Sequence, residues 1–230
     1  MVSARPGSAS AGDGIRSLWG EEKKATPHCS GRPAAGYIGV PPMSTVRLLG
    51  IAGSLRRSSL NRALLRALTP VLPDGTTLEI FDGLATLPFF DPDRKDEPAP
   101  VTAFKAAIAA ADGLVIATPE YNYSLPGVLK NAIDWASRPP PSSPLRGCPV
   151  GIVSAASGIS GGMRAQYHLR QILVYTDSPV MPQPEVIIPK SHERFDADGT
   201  LLDDSTRELL RRFGAAITTW VTRLRRPPAA

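Results

Sequence analysis

The stretch VRLLGIAGSLRRSSLNRALLRAL, residues 46–68, decides how the chain folds. Its first seven residues hold a single charge, Arg47, in an otherwise apolar run, the pattern of a strand covered on both faces. From Leu60 onward apolar residues recur at helical spacing. Between the two, Gly53 to Asn61 crowds three serines, two arginines and an asparagine into one connection. A helix start needs one such residue as its cap. The others point to an anion. The first turn of a helix exposes unpaired N–H groups and a partial positive charge, so a phosphate placed there is stabilised. The hydroxyls of Ser54 and Ser59, the amide of Asn61 and the guanidinium of Arg56 stand around that point. Neither a Walker lysine nor GxGxxG is present. A helix capped by one serine, with the rest solvated, is the other reading of this loop taken alone.

The same alternation continues. Strands are expected at 45–54, 76–83, 113–120, 149–157 and 184–190, and helices at 60–69, 100–112, 125–138, 161–176 and 205–224. In the last helix Leu209, Leu210, Phe213, Ile217, Trp220, Val221 and Leu224 keep the spacing of one buried stripe. Five strands each followed by a helix predict an α/β fold: a doubly wound, five-stranded parallel sheet, flavodoxin-like in its order 2-1-3-4-5. Ligands of such sheets lie beyond the carboxyl ends of the strands, where the order reverses. The loops after the first, third and fourth strands therefore decide function.

The loop TPEYNYSLPG, 118–127, places two tyrosines and an asparagine at a strand tip. Such rings can cover a planar ligand, although packing or interface roles explain them equally. The loop SAASGISGG, 154–162, is built of small residues that let backbone approach a ligand. Together the three loops describe a ligand with one phosphate end and one flat end, as FMN has. A second phosphate site is missing, which argues against a permanently bound dinucleotide.

Composition excludes other classes. Cys29 and Cys148 form no CxxC, and His28, His168 and His192 are scattered, so neither a metal nor a redox disulfide is expected. No run of eighteen apolar residues occurs and no apolar leader opens the chain. A cytoplasmic protein with no membrane partner is the expectation. Residues 1–42 carry five Lys/Arg against three Asp/Glu, and 207–230 six Arg against one Glu, so 43–206 hold fifteen basic and seventeen acidic residues. The basic excess thus sits at the ends, and no basic patch interleaved with aromatics suggests nucleic acid. Residues 1–42 are Gly-, Ser-, Ala- and Pro-rich without periodicity and are expected to be a disordered extension. A gene start set too far upstream and a true tail both fit. The domain then runs over 43–230.

GSLRRSSLN and TPEYNYSLPGVLKNAIDWASR resemble the signatures of NADPH-dependent FMN reductases, a group with chromate and quinone reductases among its members. GGMRAQYHLRQIL is similar to the family's next segment, and the likeness spans about 43–224. It implies that Ser54, Arg56, Ser59 and Asn61 hold the FMN phosphate, with Leu55, Arg57, Ser58 and Leu60 lining the turn. It implies that Pro119, Glu120, Tyr121 and Asn122 border the isoalloxazine ring. The backbone around Ala155 would meet the pyrimidine side; members often carry a hydroxyl there, which Ala155 lacks. Arg164, Tyr167 and Glu185 resemble subunit-joining residues, implying a homodimer or homotetramer. The proline-rich 138–147 departs from the pattern and is expected to alter the site's rim or the subunit contact.

The resemblance implies an FMN-dependent oxidoreductase with NADPH or NADH as co-substrate. Hydride would pass through FMN to a small-molecule acceptor: a quinone, chromate, an azo compound or free flavin. No general acid or nucleophile is required. An electron carrier of flavodoxin type serving a partner protein uses the same fold, as would a phosphate-sensing regulator. Carriers tend to be acidic, and 43–206 is nearly balanced.

Overall fold

The computed structural model describes residues 45–224; the expected disorder of 1–42 lies outside them. Strands β1 (Val46–Ala52), β2 (Thr76–Phe81), β3 (Gly113–Ala117), β4 (Val150–Ala155) and β5 (Val186–Ile188) form one sheet in the order β2-β1-β3-β4-β5. Every neighbouring pair is parallel. The helices are α1 (Leu60–Leu68), α2 (Ala99–Ala110), α3 (Gly127–Ala136), α4 (Met163–Tyr175) and α5 (Asp204–Leu224). This is the doubly wound, flavodoxin-like arrangement that the alternation predicts.

The apolar runs of the strands divide by parity into two cores. Val46, Leu48, Ala52, Val115, Ala117, Val153 and Ala155 point to one face, where α1 and α5 cover them. Leu49, Ile51, Leu114, Ile116, Val150 and Ile152 point to the other, under α2, α3 and α4. Successive strand side chains face opposite ways, so a strand covered twice must be apolar throughout. Helix α5 lies close on the sheet because of Gly151. A methyl group there would stand 2.7 Å from the Phe213 ring and 3.1 Å from Ile217.

Boundaries differ from expectation for physical reasons. Strand β5 keeps only three residues, because Pro184 and Pro189 flank it and cannot donate to a ladder. Pro126 is extended and stands just before α3, where its missing N–H does no harm. Gly161 and Gly162 have φ of +61° and +94°, so α4 begins only at Met163. Leu224 is exposed and leaves the stripe of α5, whose Leu210, Phe213, Ile217 and Val221 are fully buried. The 138–147 segment follows the far end of α3 and leads into the start of β4. It therefore lies toward the amino end of β4, away from the carboxyl ends of the strands, and of the two expected effects the subunit contact is the one this position suits. Among the described residues no helix is long and apolar enough to cross a membrane.

Candidate functional site

The carboxyl ends of β1, β3 and β4 bring the three loops together. At the end of β1 the chain is still part of the sheet, since Gly53 N–H donates to the Ala117 carbonyl at 2.8 Å. It then turns outward. Leu55, Arg56, Arg57 and Ser58 are exposed and Ser54 is half-buried. Ser59 is buried and caps α1: its hydroxyl accepts from Arg62 N–H at 3.2 Å. The amides of Leu60 and Asn61 have no partner among the described residues, and neither Arg56 nor Arg57 has an ion-pair partner there. Ser54 Oγ accepts from Arg56 N–H at 3.4 Å and, like Ser59, keeps its own proton to donate. A helix N-terminus with open amides, two such hydroxyls and two guanidinium groups fits the phosphate end of FMN.

Asn61 behaves differently from expectation. Its side chain does not open toward the loop. Nδ2 donates to the Ala155 carbonyl at 2.8 Å, and Ala155 N–H donates to Oδ1 at 3.0 Å. The side chains of Asn61 and Ala155 are both buried. The backbone groups of Ala155 are thus engaged by protein. The exposed Ser157 and Gly158, just beyond, are what the third loop presents outward.

The second loop closes on itself. Tyr121 N–H donates to the Ser124 carbonyl, and Ser124 N–H to the Tyr121 carbonyl, both at 2.9 Å. Between them Asn122 and Tyr123 have φ of +49° and +67°. Two positive φ values in succession make a tight turn of the primed kind, which asparagine tolerates and tyrosine resists. The turn lifts Tyr121, Asn122 and Tyr123 into solvent, while Pro119 beneath is buried.

The Glu120 side chain is nearly buried. Arg164 Nε donates to its Oε1 at 2.8 Å and Arg164 N–H to its Oε2 at 3.1 Å. The carboxylate therefore satisfies an amide at the start of α4 and one arginine at once. The Arg164 guanidinium lies 3.8 Å from the centre of the Tyr123 ring. His168 Nδ1 is 3.0 Å from Ser124 Oγ. Arg164, which the resemblance implies to be subunit-joining, is within this chain bonded to Glu120 and still partly exposed. Glu185 likewise has an internal partner, Arg170, at 3.9 Å, while Tyr167 is exposed. Tyr123 is the second of the two tyrosines expected at this strand tip; Ser124 and His168, which sequence reading did not single out for the site, meet beside it.

Behind the third loop, Ser154 Oγ donates to the Gly161 carbonyl at 2.7 Å and accepts from Gln166 Nε2 at 2.8 Å. Gln166 also donates to the Val186 carbonyl. This buried network fixes the turn into α4. Gly162 sits against it, where a methyl group would be 2.7 Å from Ser154 Cβ.

Comparison with known proteins agrees with this geometry. The model of the family "NADPH-dependent FMN reductase" matches residues 46–193. An NAD(P)H-dependent FMN reductase of Pseudomonas aeruginosa is 47% identical over 182 residues, covering 78% of this chain and 97% of that protein. A 2-hydroxy-1,4-benzoquinone reductase of a Burkholderia species is 42% identical, over 76% of this chain and 96% of the relative. The solved structure of FerB, a flavoenzyme NAD(P)H:(acceptor) oxidoreductase of Paracoccus denitrificans, superposes with a TM-score of 0.72 at 32% identity. It is matched over 79% of this chain and 100% of its own. The chain belongs to the NADPH-dependent FMN reductase family and is an oxidoreductase that works with FMN and a nicotinamide cofactor.

Proposed function

We propose that this oxidoreductase reduces quinones at the expense of NADPH or NADH, with free flavin, chromate and azo compounds as further acceptors. The observation that carries the reading is the pairing of an open anion cradle at the start of α1 with an exposed aromatic turn at the end of β3. The relatives named as quinone reductases support the choice of acceptor.

Bound FMN supplies the hydride chemistry. The chain supplies binding and orientation. Ser54, Leu55, Arg56, Ser59 and Leu60 form the phosphate end, the amides and the Arg56 guanidinium carrying the charge. Pro119, Glu120, Tyr121 and Asn122 shape the wall for the ring, Glu120 by anchoring the turn to α4 rather than by contact. The backbone following Ala155 offers N–H groups to the pyrimidine edge, where preorganised donors stabilise negative charge. No side chain here is asked to move a proton. The solvent-facing turn leaves room for acceptors of varied shape.

The protein works in the cytoplasm as a homodimer or homotetramer. The exposed Tyr167, Val174 and Tyr175 along α4 supply apolar area for that contact. A steady-state assay with NADH and NADPH against benzoquinones, chromate, an azo dye and free FMN tests the reading. The visible spectrum before and after FMN addition tests the cofactor. Rapid quinone-dependent oxidation by a yellow protein is expected. A flavin-loaded protein that oxidises no nicotinamide would make it an electron carrier instead.

A further inference from the structure

The sheet ends unevenly beside Asn61. The β3–β4 ladder pairs Ala117 with Val153, and Thr118 N–H still reaches the Val153 carbonyl at 3.0 Å. Beyond Thr118 the chain leaves the sheet, since β3 ends at Ala117 and residues 121–124 close into their own turn. Strand β4 runs on to Ala155, so on this side the N–H and C=O of Ala155 have lost their strand neighbour. Buried backbone groups need partners. The Asn61 carboxamide, a side-chain copy of a peptide unit, takes both of them from 94 residues away in sequence.

The backbone of Asn61 lies in the first turn of α1, within the phosphate cradle, and Ala155 is the last residue before the loop that faces the pyrimidine edge. We propose that Asn61 is a positioning residue that fixes the spacing between the phosphate loop and the pyrimidine loop, and that its side chain is not a phosphate ligand. The proposal rests on the FMN reading above. It follows from the geometry. A side chain 3% exposed, with both polar atoms bonded to β4, transmits the position of one loop to the other. Cutting that link disturbs the ring's site as much as the phosphate's.

Riboflavin, which has the ring but no phosphate, separates the two roles. Flavin binding is measured by fluorescence quenching for wild type, Asn61→Leu and Arg56→Ala. Asn61→Leu is expected to weaken FMN and riboflavin by a similar factor, about tenfold for two lost neutral hydrogen bonds. Arg56→Ala weakens FMN alone. Loss of donor order at the pyrimidine edge also makes the midpoint potential of flavin-loaded Asn61→Leu more negative. Asn61→Asp keeps the size and the acceptor for Ala155 N–H, and it too weakens riboflavin, severalfold, should Asn61→Leu fail to fold. Loss confined to FMN, no loss for either flavin, or an unmoved potential would each overturn the proposal. Wild type that binds neither flavin defeats the cofactor reading itself, a separate result.

Discussion

Arg164 grips the Glu120 carboxylate through both its backbone N–H and its Nε, and so joins the tip of β3 to the start of α4. The two ends are unequal: the Glu120 side chain is 7% exposed and that of Arg164 38%. Removing one partner of such a pair leaves the other uncompensated, and the cost depends on how buried the survivor is. Arg164→Ala should therefore destabilise more than Glu120→Ala, which should cost about 1.5–3 kcal/mol as a charged hydrogen bond does. Urea unfolding of both variants checks the order. The reverse order would mean that the carboxylate is well solvated once its arginine is gone.

Tyr123 stands in a left-handed conformation that costs a side chain of its size about 1–3 kcal/mol. Its stacking against Arg164 returns only about 0.5–1 kcal/mol. Tyr123→Gly relieves the strain, loses the stacking and gains chain entropy in the unfolded state. Its stability is expected within about 1 kcal/mol of the parent, while its quinone KM rises because the exposed ring is gone. A variant with lowered stability and unchanged kinetics would show that the tyrosine serves the fold and not the site.

The legible parts were those written in short-range pattern. Apolar runs of five to seven residues punctuated by Gly, Pro and Ser mark strands such as β1 and β3, and the serine-rich turn marks the start of α1. Family likeness and strand order then located the site. Pairings across distance stayed hidden. Nothing near Asn61 says that its amide completes the β4 backbone, since the cause is that β3 ends at Ala117 while β4 runs on to Ala155. Nothing near Glu120 says that its partner lies 44 residues on, at a helix whose start is delayed by two glycines. Donors that sequence reading assigned to a ligand are partly consumed by the fold itself.

Gly151 is one of the places where α5 lies close on the sheet. Gly151→Ala sets a methyl 2.7 Å from the Phe213 ring, which is itself fully buried. Overpacking of this kind costs about 1–3 kcal/mol. Phe213→Leu in the same chain makes room, so the double variant should be more stable than the sum of the single changes predicts. Thermal melts of the three proteins measure the coupling. Strict additivity would place the clash elsewhere.

Asp203 caps α5 and sets an acid limit on stability. The hydroxyl of Ser205, then that of Thr206, holds its carboxyl far below the usual carboxylate range, with Thr206 N–H and Arg194 adding to the effect. A carboxyl depressed on folding binds fewer protons in the native state than in the unfolded one. Its contribution is therefore complete above the unfolded value of 3.8 and is lost as pH falls below it. Asp203→Ala should lower stability at neutral pH by about 1 kcal/mol, as loss of a helix cap does. Asp203→Asn retains an acceptor for Thr206 N–H but has no carboxyl to titrate, so its stability should fall less steeply than the parent's below about pH 4. Melting temperatures across pH 2–7 for the three proteins decide the matter, and parallel acid limbs in the parent and Asp203→Asn would assign that limb to other carboxyls.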